Sequence, residues 1–151
     1  KKIDDANEFY RENGVADIVK IPTPVRIMRV NGGMVSGTKQ QGYLVDYIGT
    51  INGHAIAFDA KETNLKSLPL ANIHTHQYNM MKSWHLNGAT TFLLVHFKEI
   101  DEYYTLGFER VEKVWNDMLE GGRKSIAYDV FVQHGRFLEK NNGILNYLEG
   151  L

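Results

Sequence analysis

Residues 43–61 limit the possible folds of this chain more than any other segment. Two apolar runs, Tyr43–Ile51 and His54–Ala60, are joined by Asn52 and Gly53. An Asn-Gly pair between apolar runs is the strongest short-range signal for a β-hairpin, because both residues tolerate the positive φ angles of a type I′ turn. The sequence therefore predicts two adjacent antiparallel strands here.

Each predicted strand carries one carboxylate among apolar neighbours, Asp46 in the first and Asp59 in the second. Lys61 follows Asp59 by two residues, so the alternation of a strand places both side chains on one face. Desolvating an acid in such a strand is costly unless a partner or a metal compensates. One interpretation is that the acids lie in water at strand edges, or pair with Lys61 in a surface salt bridge.

The second interpretation is a metal-dependent site, and clustered ionisable groups on a rigid scaffold favour it. Two carboxylates suit a hard cation such as Mg²⁺. The cation would polarise a phosphodiester and lower the pKa of a bound water. Lys61 would orient that water or stabilise the charge that develops on the phosphate. The pattern thus indicates phosphodiester hydrolysis.

Composition indicates one ordinary globular domain of 151 residues, with 43% hydrophobic and 23% charged residues. Cysteine is absent, which rules out disulfides and thiolate zinc sites and favours a cytoplasmic protein. No apolar run approaches the roughly 18 residues of a membrane span. The net charge of −1 is compatible with a local basic groove. Because the chain begins with Lys1 rather than Met, we expect it to be a fragment.

The remaining hydrophobic pattern predicts an α/β fold. Ile3–Asn13 reads as a short amphipathic helix, and Val25–Val30 alternates like a strand. Thr90–Phe97 is apolar and β-branched, which is typical of a central strand buried on both faces. Glu102–Phe108 continues as a strand, and Phe108–Leu119 follows as a helix with an apolar face. The polar, glycine-rich residues 31–42 read, on composition alone, as a mobile surface loop.

A further helix is predicted from Pro69 to Asn87. Gln77 lies on its apolar face and therefore points inward, either to bond the backbone or to reach a site on the sheet. His74 and His76 are two residues apart and would diverge by about 200° on a helix, so they could not readily share a metal. We interpret them, with the other histidines, as structural or surface residues.

Five short motifs in this order resemble the RecU family of Holliday junction resolvases, within the PD-(D/E)xK nuclease superfamily. The segment 20–24 resembles the family's "KxPTP", and 45–49 resembles its "TDYxG". The segment 58–63 resembles "FEAKET", 69–77 resembles "PLxNxxxHQ", and 123–126 resembles a C-terminal "RKSI". The match extends over most of the chain, and five motifs in this order at matching spacing make a specific signal.

The resemblance implies a restriction-endonuclease-like fold: a mixed central sheet flanked by helices, with a protruding β stalk at about residues 31–42 of a single nuclease domain, 1–151. It also implies a homodimer that cuts four-way DNA junctions with Mg²⁺ or Mn²⁺ and acts beside recombination proteins, in low-GC Gram-positive bacteria or their phages. Asp46 and Asp59 match the metal-binding acids, Lys61 the catalytic lysine, and Gln77 the helix glutamine.

This chain departs from the family pattern in several places. Asp59 stands where the family usually has Glu, and Val45 replaces the usual Thr. The family's acidic residue ahead of the first helix would fall before Lys1. The stalk is also shorter than usual, so nuclease activity is the firmer expectation and junction selectivity the weaker one.

We expect basic side chains on the stalk and near the cleft to contact DNA phosphates. Two alternatives stay open: a related nuclease with flap or nicking specificity, and a non-catalytic protein that binds branched DNA. The expected DNA contacts are Lys20, Arg26, Arg29, Lys39, Arg123 and Lys124.

Overall fold

A six-stranded mixed sheet lies at the centre of the computed structural model, which describes residues 1–22, 25–39, 44–149 and 151. In chain order the elements are α1 (Lys2–Glu12), β1 (Ala16–Lys20), β2 (Val25–Asn31), β3 (Met34–Lys39), β4 (Tyr47–Ile51), β5 (His54–Thr63), β6 (Ser67–Pro69), a 3₁₀ turn (Leu70–Asn72), α2 (Thr75–Leu86), β7 (Thr90–Phe97), β8 (Glu102–Gly107), α3 (Phe108–Leu119), β9 (Ser125–Ala127), α4 (Tyr128–His134), β10 (Arg136–Phe137), β11 (Lys140–Asn141) and β12 (Ile144–Leu145).

The strands of the main sheet lie in the order β1-β4-β5-β7-β8-β10. Strands β5 and β7 are parallel, and the other neighbours in the sheet are antiparallel. Helix α2 lies in the connection between the parallel pair, as such a crossover requires. This arrangement confirms the predicted α/β class, with a mixed sheet flanked by helices. None of the helices in the described ranges is long and apolar enough to cross a membrane.

The predicted hairpin is present as β4 and β5, joined by a tight turn. Asn52 and Gly53 have φ angles of 50° and 75°, the positive values that a type I′ turn needs. Strand β4 begins at Tyr47, so Asp46 lies one residue before the strand rather than inside it. Its backbone carbonyl accepts a 2.7 Å hydrogen bond from the N–H of Ile21.

Alternation along β5 divides its side chains between two layers. Phe58 faces the layer that contains α1 and the C-terminal segment, and its ring stacks between Tyr47 and Phe92 at centroid distances of 4.9 and 4.7 Å. Ala57 faces the opposite layer, against α2 and α3. Since Asp59 and Lys61 alternate with Phe58, they too lie on the α2 side.

The helix predicted from Pro69 starts later, at Thr75, so that part of the prediction is wrong. Leu68 instead pairs with Ile126 in a small antiparallel sheet of β6 and β9. A 3₁₀ turn follows, and His74 then takes an extended conformation, with φ −68° and ψ 144°, before the helix begins. The pairing with a distant segment overrides the local helical pattern.

Strands β2 and β3 form a two-stranded ribbon separate from the main sheet. The ribbon starts at Val25, upstream of the stalk boundary predicted at residue 31, because β2 pairs with β3 from Val25 to Asn31, with a register shift between Ile27 and Arg29. Residues 40–42 of that predicted stalk lie outside the described part of the chain. Five apolar side chains of the ribbon are 59–76% exposed: Ile27, Met28, Val30, Met34 and Val35.

Replacing Gly49 with Ala is expected to destabilise the protein by about 2 kcal/mol or more, as overpacking does. A Cβ at this position would lie 2.1 Å from the carbonyl oxygen of Asp17 and 2.7 Å from the Cα of Ile18, so β1 would have to move. Chemical denaturation measures the change. The matched control is Gly33→Ala, where an added Cβ meets no atom within 4 Å. Equal stabilities of the two variants would contradict the packing argument.

Candidate active site

Two crossed hydrogen bonds from the backbone hold the carboxylates of Asp46 and Asp59. The backbone N–H of Asp46 donates to Asp59 Oδ1 at 2.9 Å, and the backbone N–H of Ala60 donates to Asp46 Oδ2 at 3.0 Å. Each acid is therefore positioned by the backbone of the segment that carries the other. Because β5 lies inside the sheet, the Asp59 side chain is 0% exposed, whereas Asp46 is half-buried before β4.

Lys61 and Gln77 complete this cluster from two different elements. Lys61 Nζ lies 3.8 Å from Asp59 Oδ2 and donates a 3.1 Å hydrogen bond to Gln77 Oε1. The same oxygen accepts a 3.3 Å hydrogen bond from the backbone N–H of His74. The inward orientation predicted for Gln77 is confirmed, since its side chain is only 7% exposed. It both bonds the backbone and reaches the neighbouring lysine, so the two interpretations hold together.

Burial raises the pKa of Asp59 from 3.8 to about 6. The ammonium of Lys61 opposes this rise in the pKa, and the nearby carboxylate of Asp46 adds to it. Asp59 Oδ2 is also buried without a hydrogen-bond partner. A buried acceptor of this kind is costly, and together with its perturbed pKa it makes Asp59 a candidate functional residue.

The donor set fits a hard divalent cation. Asp59 offers the unpartnered Oδ2, Asp46 adds a second carboxylate beside it, and carboxylate oxygens are the protein ligands that Mg²⁺ prefers. Among the described residues no group of three or more His, Cys, Asp or Glu side chains is placed to hold a metal. Mg²⁺ commonly uses one or two carboxylates and completes its coordination with water and substrate oxygens.

The basic residues predicted near the cleft lie on two different parts of the fold. Lys20 is exposed at the end of β1 and pairs in the sheet with Tyr47, the residue after Asp46. Arg123 and Lys124 are exposed before β9. The carbonyl of Lys124 accepts a 3.0 Å hydrogen bond from the N–H of Leu70, in the turn that leads to α2.

The stalk residues lie apart from the carboxylate cluster. Arg26 and Arg29 are exposed on β2, opposite Thr38 and Ser36 of β3. Lys39 ends β3, and its side chain lies outside the described atoms. The ribbon therefore presents two arginines together with the exposed apolar side chains described above.

The sequence prediction that His74 and His76 diverge is wrong. Their rings stack with centroids 5.4 Å apart and planes 4° from parallel. His74 is the extended residue that precedes α2 rather than part of it, so helical geometry does not separate the two side chains. Predicting this pair would have required the correct start of α2, and the sequence pattern placed that start too early.

The fold resembles that of a solved structure, the Holliday junction resolvase Hjc of the archaeon Archaeoglobus fulgidus. The TM-score is 0.53 and the likeness covers 86% of this chain and 90% of that one, at 10% sequence identity. At this identity the likeness shows the fold alone. It defines the chain as a protein of the restriction-endonuclease-like fold, as the sequence predicted.

The family is shown by sequence. The model of the family "Recombination protein U" (RecU) matches residues 1–151. A Holliday junction resolvase RecU of Staphylococcus epidermidis is 36% identical over 159 residues, covering 100% of this chain and 76% of the relative. That of Pediococcus pentosaceus is 35% identical, covering 100% and 79%. That of Geobacillus thermodenitrificans is 37% identical over 139 residues, covering 87% and 69%. The chain belongs to the RecU family.

Asp59→Asn is expected to stabilise the metal-free protein above pH 6. With a pKa of 3.8 when unfolded and about 6 when folded, Asp59 favours the folded state below pH 4. This contribution to the free energy of unfolding, on the order of 3 kcal/mol, is lost as the pH rises to 6. The Asn variant lacks this pH dependence. Its free energy of unfolding, relative to that of wild type, should therefore increase between pH 4 and pH 7.

Denaturation in EDTA across that pH range measures the difference in the free energy of unfolding. Asp117→Asn is the matched control, because it removes an exposed acid from α3. If wild type and Asp59→Asn keep a constant difference from pH 4 to pH 7, Asp59 is not the buried acid described here.

Proposed function

We propose that this protein is a divalent-metal-dependent endonuclease that resolves four-way DNA junctions by symmetric strand nicking. Membership of the RecU family, whose matched relatives are named Holliday junction resolvases, supports the activity. The single observation that carries the chemistry is the buried Asp59 Oδ2, which accepts no hydrogen bond and lies beside Asp46 and Lys61. Core packing gives no reason for a carboxylate at this position.

In this proposal Asp46 and Asp59 hold the cation, Mg²⁺ or Mn²⁺. When bound, the cation supplies a Lewis acid for the phosphodiester and lowers the pKa of a coordinated water. Lys61 orients the attacking water or stabilises the charge that develops on the phosphate. Gln77 fixes Lys61 through its 3.1 Å hydrogen bond and is itself fixed by the backbone of His74. The lysine is thereby held in place before DNA arrives.

The proposed DNA contacts extend from the cleft to the stalk. In this proposal Lys20, Arg123 and Lys124 would bind phosphates of the arm that is cut. Arg26 and Arg29 lie exposed on the ribbon, which would reach toward the junction centre with Lys39. Two symmetric nicks need two sites in a fixed relation, so we propose a homodimer. DNA junctions in bacteria lie in the cytoplasm, and we propose that compartment for the protein.

Cleavage assays on branched and linear DNA distinguish two other functions from the proposed one. A flap or nicking enzyme of the same fold would cut branched and linear DNA without preferring junctions. A non-catalytic binder would hold junctions in Mg²⁺ or Mn²⁺ without cutting them. The acid-x-lysine pattern of Asp59 and Lys61, with the two side chains in contact, favours the nuclease over the binder.

Asp59→Asn is expected to lower junction cleavage by at least 100-fold while leaving junction affinity within about three-fold. The substitution keeps the size of the side chain and removes the charge that would hold the cation, so binding through distant phosphates persists. The assay follows a labelled four-way junction and a matched duplex with Mg²⁺, Mn²⁺ or EDTA. Wild type should give paired symmetric nicks in the junction alone, and none in EDTA. Wild-type cleavage rates from Asp59→Asn would exclude this site.

Combined replacement of Arg26, Arg29 and Lys39 by Ala is expected to flatten the salt dependence of junction binding. Each lost phosphate contact should reduce the slope of log K against log salt by about 0.7–0.9. Affinity measured from 50 to 200 mM NaCl gives the slope. Replacement of Lys82, Lys98 and Lys113 removes the same charge away from the stalk and serves as the control. A triple stalk variant with the wild-type slope would exclude the stalk as a phosphate-binding element.

A further inference from the structure

The stacked imidazoles of His74 and His76 lie beside the proposed catalytic cluster. His74 is extended and His76 is in the first turn of α2, which brings rings two residues apart into a parallel stack. His74 is exposed and His76 is half-buried. The stacking therefore orders both rings beside Gln77, whose side chain bonds Lys61 and the backbone of His74.

The pair is tied to Lys61 through one shared oxygen. Gln77 Oε1 accepts hydrogen bonds from Lys61 Nζ and from the backbone N–H of His74. Burial, then His74 and then the charge of Lys61 lower the pKa of His76, which agrees with rings that lie close to the ammonium. The cluster thus has two chemically distinct sides: Asp46 and Asp59 on one, and nitrogen donors on the other.

A phosphodiester at this cluster has two non-bridging oxygens and needs a partner for each. A cation held by the carboxylates would take one oxygen. The other would face the nitrogen donors, which are Lys61, bonded to Gln77 Oε1 at 3.1 Å, and the histidine rings. An imidazole N–H can donate to a phosphate oxygen in both its neutral and its charged form. His76 is the half-buried ring of the pair and lies near Lys61.

We infer that His76 contacts the phosphodiester that is cut, through an N–H to a non-bridging oxygen, while the stacked ring of His74 holds its orientation. This inference rests on the proposed function, because the phosphate is the one whose bond the enzyme breaks. It adds a residue that binds substrate to the acids, the lysine and the glutamine predicted from sequence. It also gives the stacked pair a role that core packing does not.

A double-mutant cycle with the DNA tests the contact directly. Wild type and His76→Ala are each titrated with two junctions in Ca²⁺ as a non-cleaving probe. One junction is unmodified, and the other carries an uncharged methylphosphonate at the position that wild type nicks. His76→Ala should weaken binding of the unmodified junction by about 10-fold and binding of the modified junction by less than about two-fold.

Two further variants separate contact from structure. His134→Ala removes an exposed histidine from α4 and should match wild type on both junctions. His76→Gln keeps a hydrogen-bond donor without the ring; it reports on the contact if the Ala variant does not fold, and its loss should again be confined to the unmodified junction. Equal losses on both junctions, for whichever variant folds, would overturn the inference.

The wild-type reactions distinguish the two levels of the proposal. Wild type that cuts the junction in Mg²⁺, together with a His76→Ala variant that behaves like His134→Ala, overturns the role of His76 and leaves the nuclease intact. Wild type that neither binds nor cuts junctions overturns the proposed function and this inference with it. Coupling between His76 and the methylphosphonate supports both.

Discussion

The crossed hydrogen bonds between Asp46 and Asp59 are the interaction on which the proposed site depends. Each carboxylate accepts a backbone N–H of the opposing segment, so neither acid can move without disturbing the β4–β5 hairpin. The arrangement is costly, because Asp59 is fully buried and its Oδ2 has no hydrogen-bond partner. The stack of Phe58 between Tyr47 and Phe92 lies on the opposite side of the same strand and supplies apolar burial that offsets part of this cost.

Elements that are determined by the pattern of their own residues were predicted well from the sequence. Asn52-Gly53 predicted the hairpin turn, and the predicted bounds of Thr90–Phe97 and Phe108–Leu119 match β7 and α3. The start of α2 was not predictable in the same way. It depends on the pairing of Leu68 with Ile126, and no local pattern reports which distant segment a short strand will join.

The site shows the same division between local and distant information. Spacing along one strand was enough to place Asp59 and Lys61 on one face, and an inward polar residue was enough to single out Gln77. The stacked pair of His74 and His76 was missed because it depends on where α2 begins. For the stalk, the alternation of β2 predicted a strand, but alternation does not say what covers it. The exposed Ile27 and Val30 emerged only from the structure.

The helix that carries Gln77 connects the proposed site to a more distant part of the fold. Gln77 joins β5 to the first turn of α2, and Met80 of the same helix accepts a 3.3 Å hydrogen bond from the N–H of Val45, the residue before Asp46. Helix α2 therefore contacts both segments that carry the acids, strand β5 and the residues just before β4. Its own start is fixed by the β6–β9 pairing and by the Leu70 N–H bond to Lys124. A shift in that distant pairing would displace Gln77 and the histidine rings relative to Asp59, and Lys61 would lose the hydrogen bond from its ammonium to Gln77 Oε1.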